Sequence, residues 1–150
     1  MLGLTLVAAV CAAEEGPQSP DGTWQVSDAT VAPWCSPERA GCAFGTDLHG
    51  ETIVIAAGPG GASLRGPGAL VCEHASVERL ELPAEGLFEG NLPPPAEGAA
   101  AALGLTRFPV VAWRITCANG GFDFLHRDET TLLLALDNRV WWLSRVASAP

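Results

Sequence analysis

The chain of 150 residues carries 8 basic against 17 acidic side chains, a formal net charge of -9. One domain is expected at this length, burying roughly two-thirds of the surface of the unfolded chain. Every basic residue is Arg, too few for a basic stripe, so nucleic acid is not an expected partner; no apolar run reaches the ~20 residues of a membrane-spanning helix, which argues against an integral membrane protein.

Residues 1–13 read MLGLTLVAAVCAA and are followed by Glu14, Glu15 and Gly16. An apolar stretch ending in small residues, with Val10 and Ala12 three and one before a cut after Ala12, has the outline of a secretory leader. Export to the periplasm or the medium is the expected address, with an N-terminal core strand as the alternative. Cys11 within LVAAVC also outlines a lipoprotein acceptor, although Val10 stands where that motif prefers Gly or Ala. Soluble export is the first expectation, and a lipid anchor at Cys11 the second. Residues 14–21 are polar and carry two prolines, Pro17 and Pro20, so they are expected as a mobile tail before a single domain over 22–150.

Beyond the leader stand Cys35, Cys42, Cys72 and Cys117. An even set in an exported chain points to two disulfides, for which three connectivities exist. The favoured pairs are Cys35–Cys42, a local clip, and Cys72–Cys117, joining two strands. On the chain-entropy account the short loop contributes about 2.5 kcal/mol and the long one about 4 kcal/mol. A zinc site would recruit His49 or His74, but C-x-x-C and H-x-x-x-H spacings are missing. No cofactor is implied.

From Gly22 onward short apolar runs recur between Gly, Pro, Asn and Asp. Strands are predicted at residues 23–29, 52–57, 69–75, 77–82, 110–117, 122–126, 130–136 and 139–146, with a further short one at 62–65. Their length and the turn signals between them suit an antiparallel meander. Val111, Trp113, Ile115 and Cys117 alternate with Ala112, Arg114 and Thr116, a strand with one buried face. Asn119-Gly120-Gly121 turns the chain back, and Asp137-Asn138 makes a two-residue hairpin loop in which both residues tolerate positive φ. On the last strand Val140, Trp142 and Ser144 share one face, and Trp141, Leu143 and Arg145 the other. One segment differs. Pro93-Pro94-Pro95, then an Ala-rich run over 96–103 closed by Gly104, is helix punctuation. A short helix is therefore expected to cross from the first half of the sheet to the second, with 83–91 before it as a surface loop.

The expected fold is all-β: an antiparallel up-and-down barrel of about eight strands with one short helix inserted mid-chain, since closure hides sheet edges. The two ends of the chain add to this. The first strand opens Gly22-Thr23-Trp24, a G-x-W, and the last ends Trp142-Leu143-Ser144-Arg145. The pattern resembles the calycin superfamily of lipocalins and related barrels. The resemblance implies that Trp24 closes the barrel floor and that Arg145 packs over it as a cation–π contact. An ordinary core Trp is the alternative. The mid-chain helix, and the lack of a C-terminal one, depart from lipocalins. The chain is also similar in size, leader and tail to the calycin-like periplasmic inhibitors of secreted metalloproteases, whose tail enters the protease cleft; residues 13–21 are the matching segment.

Catalytic motifs are weak. Gly61-Ala62-Ser63-Leu64-Arg65 lacks the final Gly of a nucleophile elbow. Gly58-Pro59-Gly60-Gly61 lacks the Lys of a phosphate loop and reads as a hairpin turn. Asp123 and His126 fall on opposite faces of a strand, while His126 and Asp128 share one where a turn begins. No set of nucleophile, base and orienter survives, so no enzyme is expected. Trp24, Trp113, Phe124 and Trp142 are the expected interior aromatics. Trp34, in a loop beside the Cys35–Cys42 clip, is a candidate binding anchor, or else a lid over the barrel mouth. The reading is an exported protein-binding module, in its specific form an inhibitor of a secreted or periplasmic hydrolase, its partner unidentified. The alternative is a lipocalin-like carrier of a small apolar ligand.

Overall fold

In the computed structural model the described residues are 19–148, apart from 37, 39 and 40. The expected leader at 1–13, the lipid-acceptor candidate Cys11 and residues 14–18 of the expected tail lie outside them.

Eight antiparallel strands close into a barrel, each paired with its sequence neighbour and the last with the first. They are β1 (Gly22–Val31), β2 (Thr52–Gly58), β3 (Gly61–Arg65), β4 (Val71–Leu82), β5 (Val110–Cys117), β6 (Gly120–Asp128), β7 (Thr131–Leu136) and β8 (Arg139–Arg145). A 3-10 segment (Ala84–Gly90) and one helix, α1 (Ala96–Ala102), lie between β4 and β5. The all-β barrel with a short mid-chain helix is thus the fold.

Turn chemistry sets the register. Asp137 and Asn138 both adopt positive φ, 52° and 60°, so the β7–β8 connection has the twist that suits a two-residue hairpin. The sequence expects two strands at 69–75 and 77–82. They form one strand instead, β4, bulged near His74 (φ 58°), which pairs first with β3 and then with β5. The bulge lets one strand bend and change partner without ending.

Alternation fills the interior. Trp113, Phe124, Leu134 and Trp141 are successive cross-strand partners on β5 to β8 and form a buried belt. Trp142 was expected inside; it lies on the outer wall, and Trp141 takes the interior place. Strand parity explains the correction. Arg145 reaches the barrel floor, and with a period of two its face-mates are Leu143 and Trp141, whereas Trp142 points the other way.

A second buried cluster covers the outside of β5–β8. Leu87, Phe88, Leu92, Ala100, Leu103 and Leu105 of the β4–β5 connection pack on Ala112, Leu125, Leu133 and Val140. Within the 83–91 stretch expected as a surface loop, Ala84–Gly90 forms 3-10 turns broken by a kink at Leu87, Phe88 and Glu89, with Ala84, Leu87 and Phe88 buried. The helix does not carry the chain across the sheet, because β4 and β5 pair directly. Both differences have one cause. β5 to β8 are apolar on both faces, and the outward face needs a cover.

Candidate functional site

The chain enters and leaves the barrel at one end, the floor. There the Arg145 guanidinium stands 4.2 Å from the Trp24 ring centroid. Its Nη1 donates to the Asp21 carbonyl at 2.8 Å, and the Trp24 indole N–H donates to the Pro20 carbonyl at 3.0 Å. Trp24 is 1% exposed. Gly22 has a φ of 139°, and a Cβ there would sit 2.7 Å from Arg145 Nη1. Only Gly satisfies both conditions, so Gly22, Trp24 and Arg145 come together as the G-x-W resemblance implies. Asp21 also accepts the Ala57 N–H through its carboxylate, and residues 19–21 of the expected tail are tied down rather than free.

The opposite end, the mouth, is closed by the loop after β1. Both disulfides are formed, Cys35–Cys42 and Cys72–Cys117. The second joins the start of β4 to the end of β5, close to the bulge. Leu48 of the loop enters the core, Asn138 Nδ2 donates to the Ala43 carbonyl at 2.9 Å, and Phe44 lies over Arg139. Arg139 sits between two rings, 5.3 Å from Phe44 and 5.5 Å from Trp141.

Trp34 does not stand free on its loop. Its ring meets Phe88 at 5.3 Å and 45°, a tilted aromatic pair. Phe88 and Glu89 take left-handed backbone, φ 52° and 59°, which costs roughly 1–2 kcal/mol per non-Gly residue. Asn91 holds that turn by donating to the Phe88 carbonyl at 2.8 Å. Between this corner and the outer wall of β6 and β7 lies a concavity of about 300 Å3, lined by Trp34, Phe88, Glu89, Asp123, Asp137 and neighbours. Arg114 forms one wall, held by Asp123 in a two-pronged ion pair at 2.7 and 2.8 Å. The hydrogen bonds and charge of Asp123 keep the Arg114 guanidinium above its ordinary pKa against a small opposing effect of burial, with Glu78 and Glu89 adding their charge. Among the described residues Glu89 and Asp137 make no ion pair.

Other candidates fare differently. A larger, shallower hollow of about 590 Å3 lies over the β2–β3 turn, His74 and an exposed Arg65–Glu73 pair at 3.8 Å; such a pair contributes little. Asp123 and His126 stay apart, as their parity requires: Asp123 faces out to Arg114, while His126 follows Phe122 and Phe124 on the inward face. Burial lowers the His126 pKa, partly offset by the charges of Asp128 and Glu129. Asp128 caps the β6–β7 turn by accepting the Thr130 N–H and hydroxyl at 2.9 and 3.0 Å. Burial raises its pKa, but the bonds from Thr130 and Thr131 and the charge of Arg127 outweigh this and lower it overall. Among the described residues no group of three or more His, Cys, Asp or Glu could hold a metal ion.

The sequence singled out Trp34 but missed Phe88, Arg139 and the Arg114–Asp123 pair. Two were within reach. Arg139 shares the parity of Arg145 on β8, and Arg114 and Asp123 are equidistant from a hairpin turn at Ala118-Asn119. Phe88 was not, since nothing local places it beside Trp34.

The closed eight-strand barrel is compatible with a calycin-like fold, and the two disulfides with an oxidising, extracellular or periplasmic location. No family model, no curated protein and no solved structure matches this chain.

Proposed function

We propose that this chain is an exported, non-enzymatic protein-binding module whose contact face is built around Trp34. One observation carries the reading: the aromatic and aliphatic side chains of the strands form one buried cluster inside the barrel, while the concavity beside Trp34 and Phe88 opens on the outer wall. A barrel interior of packed Trp, Phe, Leu and Ile side chains leaves function to the surface. The leader outline in residues 1–13 and the two disulfides support export. The resemblance to calycin-like inhibitors supports a secreted or periplasmic hydrolase as the partner, and the acidic balance favours a basic one through steering.

The test is capture of a partner from the exported fraction on immobilised full-length chain, identified by mass spectrometry. Trp34→Ala should lose that partner while retaining the native unfolding midpoint. Equal capture by the wild type and the Trp34 variant would overturn the assigned face.

A second reading, a carrier of a small ligand inside the barrel, has one observation of its own. The Trp113 indole N–H is buried among the interior side chains with no hydrogen-bond partner among the described residues, a state that normally costs free energy. Saturable, stoichiometric uptake of an apolar dye that quenches the interior tryptophans would favour the carrier.

A further inference from the structure

Resting on the protein-binding reading, we infer that the Trp34 groove takes a cationic side chain of the partner, an arginine projecting from an exposed loop. The groove has an aromatic side and an acidic one. Trp34, half-buried and packed on the buried Phe88, supplies the ring surface, against which a planar guanidinium can stack. Glu89 and Asp137 supply carboxylates with no ion pair among the described residues. The third acid, Asp123, is taken up by Arg114 through both its oxygens. Arg114 offsets that one carboxylate through the pair, and among the described residues Glu89 and Asp137 keep carboxylates outside any ion pair. What remains at the groove is net negative charge beside aromatic faces, which excludes an acidic partner segment and complements a basic one.

The width of the groove comes from Gly121 on its wall. Gly121 is in β6, its φ lies outside the left-handed range, and a Cβ there would meet nothing nearer than Thr116 Oγ1 at 3.9 Å. A larger side chain at 121 is compatible with the strand and would project into the space an incoming side chain needs. No backbone reason for glycine exists at this position, in contrast to Gly22.

The test is a titration of the 15N-labelled full chain, disulfides intact, with a capped peptide Gly-Leu-Arg-Leu-Gly. The same peptide with citrulline for arginine keeps the shape and removes the charge. The expected result is saturable shifts at the Trp34 indole N–H and the Gly121 amide, with the citrulline peptide about tenfold weaker. Added salt should narrow the difference. Gly121→Leu should abolish the shifts with an unchanged fold. Glu89→Gln combined with Asp137→Asn, which keeps the left-handed turn, should bring the arginine peptide down to the citrulline level. Equal affinity for the two peptides, shifts elsewhere on the barrel, or no saturable shift would each overturn the proposal. Partner capture by wild-type chain that is lost in Gly121→Leu, together with equal peptide affinities, would sink the cationic specificity and leave the binding face standing. Capture insensitive to both Trp34→Ala and Gly121→Leu would sink the face itself.

Discussion

The two ends of the barrel are closed by the same device, an arginine of β8 over a buried tryptophan, yet they are built from different materials. At the floor Arg145 caps Trp24 at 4.2 Å and is bonded to the Asp21 carbonyl, all within residues where strands begin or end. At the mouth Arg139 lies between Trp141 and Phe44, a loop residue 40% exposed, and the loop is fastened by a disulfide. The floor is made by residues at or beside the ends of β1 and β8. The mouth depends on a long connection whose ordering entropy has to be offset by the Cys35–Cys42 clip, the Asn138 bond and Leu48. The candidate binding groove sits at the mouth end, where a loop can vary without disturbing closure at the floor.

The sharpest way to break this comparison is at the floor. Trp24→Ala should cost roughly 3–5 kcal/mol, the range for a large buried side chain cut to Ala, read from denaturant unfolding. At the mouth, replacing Cys35 and Cys42 together by Ala should cost about 2.5 kcal/mol. Amide exchange should then rise in residues 41–51 and leave β1, β7 and β8 protected near the floor. Uniform loss of protection would show that the mouth loop and the barrel unfold as one unit.

Arg145→Ala should cost on the order of 1–2 kcal/mol, from the lost cation–π contact and stem packing. A double-mutant cycle with Trp24→Ala should return a coupling of about 1 kcal/mol; strictly additive losses would mean that the two side chains do not support each other. Arg139→Ala should cost less, about 0.5–1 kcal/mol, because its ring contacts are longer, 5.3 and 5.5 Å against 4.2 Å for Arg145. If Arg139 proves the costlier residue, the mouth is the true clamp.

The smallest effect is a pH dependence confined to the floor. Burial lowers the His126 pKa in the folded chain, so the folded state binds the proton less readily than the unfolded one. Its contribution is complete above the unfolded value of about 6.5 and is lost as pH falls through the lower folded value. Unfolding midpoints measured between about pH 7 and 5 should decline on acidification, and His126→Leu should remove part of that slope. An unchanged slope in the variant would assign the acid sensitivity to the carboxylates alone.

Much of the candidate site was out of reach of sequence reasoning for a definite reason. Trp34 was visible because it stands beside a cysteine clip in a Pro-bearing loop. Its partner Phe88 is far off in sequence and belongs to a stretch that reads as polar and glycine-bearing. The β8 aromatics show the opposite failure, since the period of two relating Trp141 to Arg145 was present and Trp142 was still placed inside. A pair of adjacent tryptophans satisfies either parity, and the choice follows only when Arg145 is taken to fix the face.

What the sequence by itself determined was local: most of the strands and their alternation, the Asp137-Asn138 hairpin, and an even set of four cysteines among whose three connectivities Cys35–Cys42 and Cys72–Cys117 were favoured; the closure of Trp24 by Arg145 came from the resemblance that G-x-W carries. The local features rest on spacing along the chain or on φ angles that particular residues tolerate. The tertiary structure alone decided that β4 runs unbroken from β3 to β5, that residues 83–109 cover the outer wall, and that Phe88 and Glu89 meet Trp34 at a groove. These depend on which apolar faces are left over once the barrel has closed. That is a property of the whole sheet, and no window of sequence contains it.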